Sequence, residues 1–236
     1  MRVRFPNVAA GGALEAVIVN TAGGMTGGDR FELDVEVGPS ARLTVSTAAA
    51  EKIYRSLGPD TAVGVKLKVA AGGMLAWLPQ ETILFDQTRL RRTVEADLVG
   101  GAQLIVAEAV VFGRAAMGET VARGYLFDRW RIRVDGALVF AESLRLDGAI
   151  TEKLAQRATA AGDAAIASVL KIPASDADLA AVRASEGDFA GEVGVSAFNG
   201  FALARLVAAD GAALRRDLIG VLTAFGVMPL PRLWLN

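Results

Sequence analysis

Four carboxylates occupy positions from which this 236-residue chain could do chemistry. Asp29 closes the glycine-rich run Asn20-Thr21-Ala22-Gly23-Gly24-Met25-Thr26-Gly27-Gly28-Asp29. Glu81 follows Pro79 and Gln80 in a break between two apolar stretches. Glu108 interrupts an apolar run, and Glu119 ends the segment Gly113-Arg114-Ala115-Ala116-Met117-Gly118-Glu119. Carboxylate oxygens suit hard cations and weak passing contacts with transition metals, and two carboxylates at the right separation can share acid–base work. The spacing gives no distance between Glu108 and Glu119, so a carboxylate-pair hydrolase stays open beside a buried ion-pair cluster of Glu108, Arg114 and Glu119.

What is missing excludes more. The chain has no histidine and no cysteine. A zinc site of the usual kind lacks its imidazole and thiolate ligands. A serine–histidine or cysteine–histidine nucleophile pair cannot be built. No side chain titrates near neutrality unless its surroundings shift it. Without cysteine there are no disulfides, which fits a reducing, cytoplasmic setting.

The other constellations each carry a plain structural reading. The glycine run lacks the lysine and hydroxyl of a phosphate-binding loop, and a strand pattern follows it, so the expectation is a sharp bend. Glu51-Lys52-Ile53-Tyr54-Arg55 reads as a charged loop at a strand end. In Trp77-Leu78-Pro79-Gln80-Glu81-Thr82, proline forces an edge, bulge or corner. Glu81 there either pairs with a cation, Arg55 or Arg114, or faces a polar passage. Arg89, Arg91 and Arg92, with Arg129, Arg131 and Arg133, read as solvated faces. With 25 Lys+Arg against 26 Asp+Glu, nothing suggests nucleic-acid binding. An apolar fraction of 53% beside near-zero net charge leans toward a protein that buries surface in partners.

The elements that must position these residues are mostly strands. Period-2 alternation marks Phe31-Leu33-Val35-Val37, Val65-Leu67-Val69, Leu104 to Phe112 and Trp130-Ile132-Val134. Asp135-Gly136 and Asn199-Gly200 fit two-residue hairpin turns, and Phe201–Ala209 reads as the strand after the second. Gly38-Pro39, Gly58-Pro59, Gly72-Gly73 and Gly100-Gly101 punctuate the rest. Two helices are expected toward the C-terminus. The first is capped by Asp176 or Asp178 and runs to about Ala184. The second follows Asp210 on the stripe Leu214, Leu218, Leu222 and Phe225, with Gly226 at its end. Apolar stretches are broken by charge, as at Glu15 and Asp217, so no membrane span is expected. Gly11, Gly12 and Glu15 interrupt the N-terminal segment too often for an export signal. The fold class is mainly β: a solenoid-like stack of many short strands with two C-terminal helices, in one domain over residues 1–236.

Taken in order, several segments resemble the urease accessory protein UreD family, called UreH in some lineages. They are Gly23-Gly24-Met25-Thr26-Gly27-Gly28-Asp29-Arg30, Glu51-Lys52-Ile53-Tyr54-Arg55, Trp77-Leu78-Pro79-Gln80-Glu81-Thr82, Glu108 with Gly113-Arg114 and Gly118-Glu119, and Pro231-Arg232-Leu233-Trp234. Where that family often carries histidine before the glycine run, this chain reads Val17 to Ala22. Before Trp77, where the family is usually acidic, it has Ala76. The resemblance implies a β-rich, solenoid-like scaffold rather than an enzyme. It implies UreF, UreG and the urease apoprotein as partners, and nickel delivered to the urease centre. Without histidine or cysteine the expectation is no tightly bound cofactor and only transient Ni²⁺, touched by Asp29, Glu81, Glu108 or Glu119.

Overall fold

Alternating residues make strands, and through the middle of this chain the strands pass back and forth between two sheets. The computed structural model describes residues 1–7, 13–114 and 117–235. Gly11, Gly12, Ala115 and Ala116 lie outside the described residues. One sheet contains β1 (Arg2–Arg4), β2 (Leu14–Val19), β4 (Arg42–Thr47), β5 (Glu51–Ile53), β7 (Met74–Leu78), β8 (Thr82–Leu84), β10 (Gln103–Phe112), β13 (Ala165–Ile172), β14 (Glu192–Phe198) and β15 (Phe201–Ala208). The other contains β3 (Arg30–Val37), β6 (Thr61–Val69), β9 (Arg89–Leu98), β11 (Arg123–Val134) and β12 (Ala137–Ala149).

From β2 to β11 the chain passes back and forth between the larger and smaller sheets, with the short β5 and β8 following β4 and β7 within the larger one. The neighbours β2-β4-β7-β10 are parallel in one, and β3-β6-β9-β11 in the other. Each coil therefore stacks on the one before, which is the expected solenoid-like arrangement. Antiparallel strands finish both sheets: β12 returns along β11, while β13, β15 and β14 extend the larger sheet from β10.

Among the described residues three α-helices accompany the strands. α1 (Ile150–Leu154) is a short turn that the periodicity does not announce. α2 (Asp176–Ala184) and α3 (Gly211–Ala224) match the expected pair. The cap of α2 is Ser175 rather than Asp176 or Asp178; Asp178 supplies the other half of a capping box by accepting from Ser175 N. A serine at the cap with a carboxylate three residues on satisfies two orphan amides at once, which is why the helix starts there. Asp210 caps α3 as expected, and Gly226 takes the left-handed conformation just past its end. Both expected hairpin turns are present, with Asp135, Gly136, Asn199 and Gly200 all at positive φ.

These layers make three cores. Leu75, Trp77, Leu104 and Val106 of the larger sheet meet Val65, Leu67, Val94, Trp130 and Ile132 of the smaller one. Met25, Ile53, Leu84 and Val110 meet Leu90, Leu126 and Leu146 farther along the same sandwich. On its other face the larger sheet is covered by Leu214, Leu218, Val221, Leu222 and Phe225 of the α3 segment and by Trp234. The outer face of the smaller sheet is left wet, with Glu32, Lys66, Lys68, Glu95 and Arg131 along it, the alternation of a half-buried sheet.

Candidate functional site: a charged stripe between two cavities

The two apolar cores inside the sandwich are separated by a line of polar residues, one per strand. Along β10 the inward sequence is Val106, Glu108, Val110; along β9 it is Leu90, Arg92, Val94; along β11 it is Leu126, Asp128, Trp130. In each strand a charged residue replaces the apolar one that the pattern calls for. Pairing register aligns them: Arg92 lies opposite Asp128, and Glu108 lies opposite Ser168, which in turn lies opposite Arg205.

Arg92 joins the sheets. Its Nη1 donates to Glu108 Oε2 and, at 3.3 Å, to Thr82 Oγ1; its Nη2 donates to Asp128 Oδ2 at 2.5 Å. Trp77 Nε1 donates to Glu108 Oε1 at 2.9 Å. All three charged residues are buried, at 4% exposure for Arg92, 6% for Glu108 and 7% for Asp128. Burial pushes the Glu108 carboxyl above its ordinary value, against the pull of Arg92 and with the push of Asp128. Burial opposes the charge on Arg92 as well, yet Asp128 and Glu108 more than offset this and hold the guanidinium protonated. The network is incomplete: Arg92 Nε and Asp128 Oδ1 are buried and have no hydrogen-bond partner among the described residues. An unmet polar atom in such a place is costly.

A cavity lies on each side of the stripe. One, of about 270 Å³, is bordered by Asn20, Glu51, Trp77, Gln80, Arg92 and Glu108. The other, of about 510 Å³, is bordered by Arg92, Glu108, Asp128, Glu142, Ser168 and Arg205. Arg92 and Glu108 are the residues common to both. At the first cavity Asn20 Nδ2 donates to both oxygens of Glu51, at 2.9 and 3.0 Å. Burial raises the Glu51 pKa, partly opposed by that amide. At the second, Arg205 grips Glu142 with two bonds of 2.7 and 3.0 Å.

The sequence motifs divide between this site and its supports. Gly23, Glu51, Lys52, Trp77, Pro79, Gln80 and Glu108 border the first cavity. The glycine run is the expected bend: a Cβ on Gly24 would stand 2.4 Å from the Tyr54 ring, so only glycine lets that ring close over it, with Tyr54 Oη donating to Gly23 O. A Cβ on Gly27 would meet Ser56 Oγ at 2.1 Å. Gly28 takes positive φ there. Asp29 accepts from Thr26 N and fastens the bend at the surface, away from the stripe. Arg55 is exposed beside Thr88.

Several expectations are corrected. Glu108 does not join Arg114 and Glu119. Those two pair with each other at 2.5 Å in a partly exposed loop, where Arg114 lies over the Phe85 ring and Gly113 packs against the Glu119 carbonyl. Gly118 turns the same loop at positive φ. A catalytic pair of Glu108 with Glu119 is thereby removed. Glu81 pairs with a cation, but with Arg215 of α3 at 2.9 Å, not Arg55 or Arg114. Arg92 is not on a solvated face. The same Arg215 Nη1 donates to Gln80, Nη2 donates to Leu233 O, and the guanidinium lies over the Trp234 ring. Trp234 Nε1 donates to Leu78 O, so the Pro231-Arg232-Leu233-Trp234 tail is clamped onto the Pro79 corner. Arg92, Asp128 and Arg215 are the residues that sequence reasoning missed. The inward parity of Arg92 and Asp128 within alternating strands is the signal that could have found the first two.

Among the described residues, no group of three or more acidic side chains converges as a metal site, and no helix is long and apolar enough to cross a membrane. A two-faced stack of parallel coils with a charged stripe inside defines the fold class: a β-rich, solenoid-like sandwich. The family model described as UreD urease accessory protein matches residues 1–235. Proteins named urease accessory protein UreD align over the whole chain. In Rhodopseudomonas palustris strain HaA2 one is 54% identical, with 84% of its own length covered. In strain BisA53 the figures are 55% and 82%, and in Bradyrhizobium diazoefficiens 52% and 85%. The chain belongs to the UreD family of urease accessory proteins, and its role is in urease maturation rather than catalysis.

Proposed function

We propose that this chain supports nickel delivery into the urease metallocentre, working in the cytoplasm with UreF and UreG on the urease apoprotein. Nickel is cargo in this reading. The observation that carries it is the charged stripe, which runs between two cavities through a sandwich whose other buried side chains are uncharged. Oxygen ligands without imidazole or thiolate hold Ni²⁺ weakly, which suits an ion that must move on. Burying three charged side chains costs several kcal/mol per ion before pairing offsets it. An apolar layer of the same volume would have served stability alone. Retention of charge at this depth therefore favours a role for the charge itself.

Ala49, an exposed residue at the first cavity, allows a direct test. Ala49→Trp should narrow that cavity without touching the stripe. The expected result is urease activation reduced about tenfold or more with UreF binding unchanged, since blocking a path costs transfer rather than folding. Full activation by a folded, UreF-bound Ala49→Trp chain would refute passage through this cavity.

A further inference from the structure

The two cavities share one ion pair, Arg92 with Glu108, and the guanidinium reaches across to Asp128. Two carboxylates thus converge on a position already filled by a cation belonging to the protein. Asp128 keeps one oxygen, Oδ1, buried and without a partner among the described residues, on a side chain only 9% exposed that borders the larger of the two cavities. Thr82 Oγ1 and Ser168 supply neutral oxygens nearby, the first in contact with Arg92 and the second on the cavity wall.

We propose that Glu108 and Asp128 form a latent divalent-cation site, and that Arg92 is the counter-ion that keeps this site at low affinity. The proposal rests on the passage reading and adds a gate to it. One guanidinium carries a single positive charge against two carboxylates, so the cluster still attracts a dication. To coordinate, the ion must take oxygens that Arg92 now holds; to leave, it needs only that Arg92 re-form those bonds. Arginine suits this role because it cannot be deprotonated and its fork reaches both acids at once. Arg92 is a positioning residue here: it sets how tightly the acids hold the ion and does not ligate it.

The test is calorimetry with NiCl₂ on the tag-free full chain, with MgCl₂ as a parallel titrant. Arg92→Gln removes the internal cation and leaves the two acids. It should bind one Ni²⁺ per chain about tenfold or more tighter than the unaltered protein, the scale on which groups around a metal site alter affinity. The double variant Arg92→Gln with Asp128→Asn should return to the unaltered value. A folded Arg92→Gln chain with unchanged Ni²⁺ affinity overturns the proposal. Should that variant fail to fold, Arg92→Lys decides: it keeps the charge but reaches only one carboxylate, so it should bind Ni²⁺ several-fold tighter, and equal affinity overturns the gate. These are binding readouts, so they stand apart from the Ala49→Trp activation assay, whose failure would remove the passage and leave the cation site to be judged on calorimetry.

Discussion

Two clusters in this molecule are built from the same parts. In each, an arginine bridges polar side chains beside a tryptophan indole that donates to a neighbouring oxygen. At the Pro79 corner, Arg215 holds Gln80, Glu81 and the Leu233 carbonyl and stacks on Trp234, whose indole bonds Leu78. Inside the sandwich, Arg92 holds Glu108, Asp128 and Thr82, and Trp77 bonds Glu108. In the corner cluster no buried side-chain polar atom lacks a partner among the described residues, and the bonds fix the Leu233-Trp234 segment to a strand end. The interior cluster leaves Arg92 Nε and Asp128 Oδ1 unmet beside two cavities. The difference is one of valence: the corner holds its polar groups in a closed set of bonds, whereas the proposed cation site rests on the open valence of the interior cluster beside the two cavities.

That contrast breaks first under Arg215→Ala. The substitution strands the buried Glu81 charge and frees the tail, and losing one partner of such a pair costs about 3–5 kcal/mol. Chemical denaturation should show the loss, and the tail should become sensitive to protease. Any fall in urease activation should track the amount of folded protein. A stable Arg215→Ala chain that fails to activate urease would give the corner a function and erase the distinction.

A smaller effect separates the clusters by pH. Burial holds Glu108 and Glu51 above their ordinary carboxylate values. The folded chain therefore binds protons that the unfolded chain releases, and stability rises as pH falls from neutral toward those raised values. Asp178, on which burial also acts, is held low by Lys171 and Ser175, so its contribution persists until pH falls below the ordinary aspartate range. Melting curves at about pH 7.5 and about pH 5.5 should show a gain on the acid side for the unaltered protein and a smaller one for Glu108→Gln, with Glu51 supplying the remainder. Equal gains would place the effect elsewhere.

The smallest effect is expected at the loop pair. Arg114 is partly exposed, and its bond to Glu119 is of the surface kind, worth about 0–1 kcal/mol. Arg114→Ala should leave denaturation and activation near the unaltered values, which sharpens the claim that Glu119 lies outside the site.

Much of this architecture is legible in the sequence because its signals are local. Alternation in Phe31–Val37 and Trp130–Val134, the two hairpin turns and the caps at Asp210 and Gly226 each depend on a few neighbouring residues, and each appears as a strand, turn or helix end. The site was half legible for the same reason. Glu108 stands out as a charge inside an apolar run. Arg92 does not, because Arg89 and Arg91 beside it point outward and make all three look solvated, and Asp128 is hidden next to Arg129 in the same way. Arg215 was out of reach: it meets Glu81 across 134 residues, and only the packing of α3 on the larger sheet brings them together. Local patterns fix which face a residue takes, but the partner across the sandwich is decided by how coils stack.

Asp128 is the residue whose oxygen without a partner among the described residues distinguishes the interior cluster from the corner. Asp128→Asn keeps an acceptor for Arg92 and removes the charge, so the chain should fold as before and keep whatever affinity for UreF the unaltered chain has. The decisive measurement is urease activity recovered per folded, UreF-bound molecule, with nickel supplied equally. A reduction of about tenfold or more is the predicted result, in line with the weight of charged groups around metal sites. Activation equal to that of the unaltered chain would contradict the account and return the stripe to the status of a buried ion pair.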